Sequence, residues 1–170
     1  MHETLRSVLN KHRYGRDVGL EECKAMALES LRQGFRESRD GEYRTRKAVG
    51  LWEHEYQADL DDADWRRIRD RVYRCLDNFY RSEIREIILE TRVEDWLPID
   101  ALDSFAFEST KVYVALDFAI RNRMGNALVI DWKTGWSEAK DDSMQLVCYG
   151  LFAREKWEME PERTIAELHY

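Results

Sequence analysis

The sequence predicts an α/β fold: a helical N-terminal region packed on a small mixed sheet, with one late helix crossing the sheet. Apolar residues recur at helical spacing up to about residue 90, and the period changes to alternation after residue 94. Two prolines and eight glycines in 170 residues are too little turn chemistry for a many-stranded sandwich or barrel. Apolar residues make up 44% and aromatics 12%, enough to bury a core. A charged fraction of 36% and a mean hydropathy of -0.67 exclude a membrane protein and a wholly disordered chain. At this length one domain is expected, with residues 1–94 as the helical region and 95–170 as the core.

Leu5, Val8 and Leu9 predict a first helix, and Leu20, Met26, Ala27, Leu28 and Leu31 a second, running to Phe35 and interrupted near Gly41. A third segment lies around Leu51, Trp52 and Tyr56. The clearest helix is expected over residues 62–89, with Ile68, Val72, Leu76 and Phe79 on one face and Asp61, Asp62 and Asp64 at its positive N-terminal end. Residues 96–99 and 105–107 read as two short strands. Residues 111–121 alternate strictly: Val112, Val114, Leu116, Phe118 and Ile120 face one way, Tyr113, Ala115, Asp117 and Ala119 the other. A turn at Arg123, Met124 and Gly125 leads to a strand over residues 127–133. A helix from Ser143 to about Trp157 carries Met144, Leu146, Val147, Leu151 and Phe152, and residues 164–168 return to a strand.

A three-residue turn with Gly125 in the left-handed position would pair Asn122 with Asn126. That register sets Asp117 opposite Asp131 and Ala115 opposite Lys133, with Asp131 and Lys133 on one face. Facing carboxylates are destabilising unless they share a proton or a cation, and a hard ion such as Mg²⁺ prefers oxygen ligands. A lysine beside such a site can orient the nucleophile and stabilise charge on a scissile phosphate.

Asp117, then Asp131-Trp132-Lys133-Thr134-Gly135 after a hairpin, then Gln145-Leu146-Val147-Cys148-Tyr149, resembles the PD-(D/E)XK nuclease superfamily, in its RecB-like branch. The resemblance covers about residues 95–170 and implies a restriction-endonuclease-like core. It implies a nuclease in which Asp117 and Asp131 bind Mg²⁺ or Mn²⁺, Lys133 is catalytic, and Gln145 and Tyr149 support the site or contact DNA. The branch also has a histidine ligand on an early helix, in a pattern whose second half matches His2-Glu3-Thr4-Leu5, so His2 is the candidate and His54 its rival. His12 and His169 have no supporting context. For an acidic residue supporting the metal, Asp100 is nearest by position and Glu108 second. Relatives with an iron-sulfur cluster use four cysteines, which this sequence lacks, so no cluster is expected.

The net charge is -7, but residues 1–94 carry 19 Lys/Arg against 20 Asp/Glu while residues 95–170 carry 8 against 14. The acidity belongs to the half with the candidate site. On the long helix Arg67, Arg71, Arg74 and Arg81 recur at roughly helical spacing and are candidates for gripping phosphates, the first three above all, against a solvated face interleaved with Asp70 and Asp77. Arg44, Arg46 and Lys47 form a second basic cluster. Trp132 and Trp136 flank the strand end as candidates for base stacking, with core packing the stronger expectation for Trp132. Scattered Cys23, Cys75 and Cys148 fit neither a disulfide framework nor a zinc site and suggest a reducing cytoplasm, and no membrane segment or export signal is seen.

The expected function is thus a metal-dependent DNA exonuclease in repair, recombination, or phage and defence systems. Its expected partners are DNA and a separate helicase or recombination protein. The rivals are a nuclease-fold module that binds nucleic acid or a protein without cutting, and a metal-binding regulatory domain.

Overall fold

Leu5, Val8 and Leu9 are the apolar side chains that helix α1 (His2–Arg13) buries, as their spacing requires. The structure, a computed structural model, describes residues 1–56, 58, 60–134 and 143–169, with no account of the side chains at 98, 100, 101 and 143. Helix α2 (Leu20–Arg39) stops before Gly41, whose φ of 70° is the left-handed conformation that glycine adopts without strain. Ser38, 1% exposed, accepts a hydrogen bond from the Leu51 backbone N–H at 2.7 Å, and its hydroxyl lies 2.8 Å from His54 Nδ1. It thereby ties the short α3 (Trp52–Glu55) to α2. Ser38→Ala strands the Leu51 donor and is expected to cost about 1–3 kcal/mol, read by urea unfolding.

The helix expected over residues 62–89 is two helices, α4 (Asp62–Tyr80) and α5 (Glu83–Glu90). Ser82 breaks it: its Oγ donates to Phe79 O at 2.7 Å and accepts from the Arg85 N–H at 3.3 Å, capping α5. The break lets Ile84 and Ile88 enter the same core as Leu76 and Phe79, while Ile68 stays 40% exposed. Asp61 caps α4, accepting from the Ala63 and Asp64 backbone N–H groups, which lowers its pKa. A depressed carboxylate stabilises fully above the ordinary carboxylate range, and that contribution is lost as pH falls through the lowered value.

Among the described residues the sheet has four strands in the order β1-β2-β3-β4. The two short strands expected around Trp96 and Phe105 are one edge strand, β1 (Trp96–Phe107), whose register with β2 (Thr110–Arg121) shifts between Trp96 and Ile99. Pro98 falls within that irregularity, where a missing N–H breaks no regular rung. β2 pairs antiparallel with β3 (Ala127–Trp132) through the expected turn: Gly125 has φ 75° and the Asn122 N–H donates to Asn126 O at 2.8 Å. After α6 (Ser143–Trp157) the chain returns as β4 (Thr164–His169), parallel to β3.

β3 is buried along its whole length because both faces of the sheet are covered. Phe118, Ile120, Leu128, Ile130 and Trp132 pack against α1, α2, α4 and α5, while Ala119 and Val129 pack with Tyr149 and Phe152 of α6. The strict alternation expected for β2 does not place its even residues on one face. Val114 and Leu116 join the α6 cluster, whereas Phe118 and Ile120 join the cluster of the N-terminal helices. A flat strand cannot do this, so β2 turns over at Asp117. Trp132, 5% exposed and edge-on to Phe79 at 5.2 Å, is a core residue. Among the described residues no helix is long and apolar enough to cross a membrane. The fold is the α/β architecture expected, with a helical N-terminal region and a restriction-endonuclease-like core.

Candidate active site

The Asn122–Asn126 hydrogen bond fixes which positions of the β2–β3 ladder exchange backbone bonds. These are the even ones, Ile120–Leu128 and Phe118–Ile130, so the next bonded rung would be Leu116–Trp132. The Trp132 N–H instead donates to Asp117 Oδ2 at 2.8 Å. The described rungs end at Phe118–Ile130, so Asp117 and Asp131 lie beyond the ladder instead of forming its next rung. β3 remains anchored to β4: Trp132 pairs with His169, and the Lys133 N–H donates to His169 O at 2.7 Å. The fork between β2 and β3 therefore leaves polar groups where a sheet interior would have none.

His2, in the first turn of α1, reaches this fork. Its Nε2 lies 2.6 Å from Trp132 O and 3.4 Å from Asp117 Oδ2. A carbonyl only accepts, so Nε2 is the donor in this contact, and it must give up that proton to serve as a cation ligand. His54, the rival, packs edge-on to Phe35 at 4.8 Å beside Ser38 and serves the α2–α3 junction. His12 stacks on Trp96, and His169 pairs with Glu167.

Asp131, 5% exposed, sits on the α6 side of the fork. Its Oδ1 accepts from Tyr149 Oη at 2.7 Å and from Gln145 Nε2 at 2.9 Å. Lys133 Nζ stands 2.7 Å from Oδ2 and donates to Gln145 Oε1 at 2.8 Å. The Lys133 contact with Oδ2 is an ion pair without hydrogen-bond geometry, so that buried oxygen has no hydrogen-bond donor. Gln145 and Tyr149, one turn apart on α6, thus hold both the carboxylate and, through Gln145, the lysine. Burial, and then the bond to Asp131, push the Tyr149 phenol well above its ordinary pKa, which keeps it a donor.

The donor set is two carboxylates, a backbone carbonyl and an imidazole, and the buried Asp131 Oδ2 lacks a donor. That chemistry fits Mg²⁺ or Mn²⁺. Among the described residues no three His, Cys, Asp or Glu side chains close on one point, because the carboxylates serve separate networks: Asp117 with Trp132 and His2, Asp131 with Lys133, Gln145 and Tyr149. Sequence reasoning missed the Trp132 carbonyl, a backbone atom that no residue pattern marks.

Arg67, Arg71 and Arg74 lie exposed on α4, Arg67 paired with Asp64. Asp70 and Asp77 are engaged by Arg69 and Lys24, each at 2.8 Å. One turn after Arg71 and Arg74, Cys75 and Asn78 line a small cleft together with Trp132, Lys133 and His169. Arg44 and Arg46 of the second cluster are ion-paired with Glu55 and with Glu37 and Glu42. Glu108 is at the β1–β2 turn, nine residues along the chain from Asp117 and at the wrong end of β2 to support it. Asp100 lies between the rungs Ile99–Phe118 and Ala101–Leu116; its side chain, like Gly135 and Trp136, lies outside the described residues.

The family model of the PD-(D/E)XK nuclease superfamily matches residues 1–170. Neither the curated proteins nor the solved structures give a match. Because the family match takes in the helix that carries His2 as well as the strands that carry Asp117 and Asp131, it accounts for the chain from end to end: the protein belongs to the PD-(D/E)XK nuclease superfamily.

Proposed function

We propose that the protein is a metal-dependent deoxyribonuclease of the RecB-like kind, an exonuclease of the cytoplasm serving DNA repair, recombination, or phage and defence systems alongside a separate helicase or recombination protein. The observation that supports it is the fork itself, where His2 and the Trp132 carbonyl meet Asp117 while Asp131 and Lys133 stand across it in a network of their own. In this reading His2, Asp117 and Asp131 hold Mg²⁺ or Mn²⁺. The ion, when bound, polarises the scissile phosphate and makes water a better nucleophile. Lys133 Nζ offsets the charge that grows on the phosphate and orients the attacking water. Gln145 sets where that ammonium stands, and Tyr149 keeps Asp131 from rotating away. Residues 1–94 and 95–170 act as one domain, since His2 comes from the first and the carboxylates from the second.

Arg67, Arg71 and Arg74 are assigned to phosphate contacts. Replacing all three by Ala is expected to weaken DNA binding and to flatten the slope of log affinity against log salt by about 0.7–0.9 for each phosphate no longer neutralised. An unchanged slope removes the assignment.

The activity is tested with end-labelled linear and closed circular DNA, single- and double-stranded, in Mg²⁺, Mn²⁺ or EDTA. Metal-dependent degradation of linear but not circular DNA is the expected result. Cutting of circles makes the protein an endonuclease, and binding without cutting in either metal makes it the non-catalytic module.

A further inference from the structure

We propose that the outward face of the β1–β2 hairpin is the track along which a single DNA strand reaches the fork, with Tyr113 as the platform on which an unpaired base stacks. The proposal rests on the nuclease reading for the identity of the ligand as DNA. Val112, Val114 and Leu116 pack toward α6, so the alternate residues Lys111, Tyr113 and Ala115 point the other way, and the next in that series is Asp117, whose Oδ2 faces His2. Across the ladder Ala106, Ser104 and Leu102 stand opposite Lys111, Tyr113 and Ala115.

An outward sheet face is ordinarily polar, yet Leu102 is 73% and Tyr113 63% exposed here. Ala106, Ser104 and Ala115 are small, so the surface around the Tyr113 ring is low and open. Lys111 is the one charged residue of these six, and its Nζ lies 4.9 Å from the centre of the Tyr113 ring. Asp103 belongs to the opposite face, where Lys156 approaches it at 3.6 Å. An aromatic ring with a neighbouring cation and no carboxylate among the six is the chemistry that binds a single strand, through stacking and phosphate attraction. A base within a duplex has no free face to offer. Four residues of strand set Tyr113 roughly 13 Å from Asp117, within a few nucleotides of the bond to be cut.

The test is fluorescence anisotropy of a short labelled oligodeoxynucleotide, single-stranded and as a duplex, in EDTA so that nothing is cut, with wild type, Tyr113→Ala and Tyr113→Trp. Tyr113→Ala is expected to bind the single strand about tenfold more weakly. Tyr113→Trp should restore binding, with the melting temperature unchanged in both variants. Equal binding by Tyr113→Ala, or tighter binding of duplex than of single strand by wild type, overturns the proposal. If wild type cuts DNA and Tyr113→Ala cuts with the same KM, this proposal falls and the nuclease reading stands. Tyr113-dependent binding without cutting in metal leaves the track and removes the nuclease. Absence of DNA binding by wild type overturns both.

Discussion

Replacing Lys133 by alanine is expected to lower the rate of DNA cleavage by about 10²–10³-fold, the scale for losing one preorganised charged donor at a transition state. The effect should fall on kcat, since the phosphate contacts assigned to Arg67, Arg71 and Arg74 are left in place. The fold should survive. Asp131 loses its ion pair at 2.7 Å but keeps the bonds from Tyr149 and Gln145, so unfolding stays cooperative with a lowered midpoint. Single-turnover kinetics beside a thermal melt separate the two effects. A variant that melts like wild type and cuts at more than a third of its rate contradicts the role given to Lys133.

Phe118→Ala is expected to have the largest effect on stability, about 3–5 kcal/mol. Phe118 is fully buried, lies edge-on to Trp96 at 5.0 Å, and belongs to the last described rung before the fork. Its loss opens a cavity between the sheet and the N-terminal helices that the bonded ladder prevents from collapsing. Against a total of about 5–15 kcal/mol for an ordinary domain, that loss removes at least about a fifth of the stability. Urea unfolding measures it, and a loss under about 1 kcal/mol would show that the two layers do not depend on each other there.

Local chemistry made much of this legible. The left-handed Gly125 and Asn122–Asn126 set the β2–β3 register, and α6 runs from Ser143 to Trp157 as its apolar spacing indicates. What escaped was decided over distance or by the backbone. Ser82 acts as a cap within a segment whose apolar spacing continues past it, so the sequence pattern alone shows no break. Pro98, Asp100 and Asp103 interrupt the apolar pattern of β1 without interrupting its backbone. The turning over of β2 at Asp117 follows from two cores competing for one strand, which alternation cannot express. Of the two rival histidines, the choice rests on a contact between His2 and Trp132 across 130 positions, and a local pattern carries no information about such a pair.

A titration with Mn²⁺ followed by electron paramagnetic resonance tests most directly whether the fork is built for a divalent ion. Wild type is expected to bind Mn²⁺ saturably. Asp117→Asn and Asp131→Asn should each weaken binding by about tenfold or more, with His2→Ala weaker by a comparable factor and Lys133→Ala still binding. Equal affinity in wild type and both carboxylate variants, or no binding by wild type, would contradict the account.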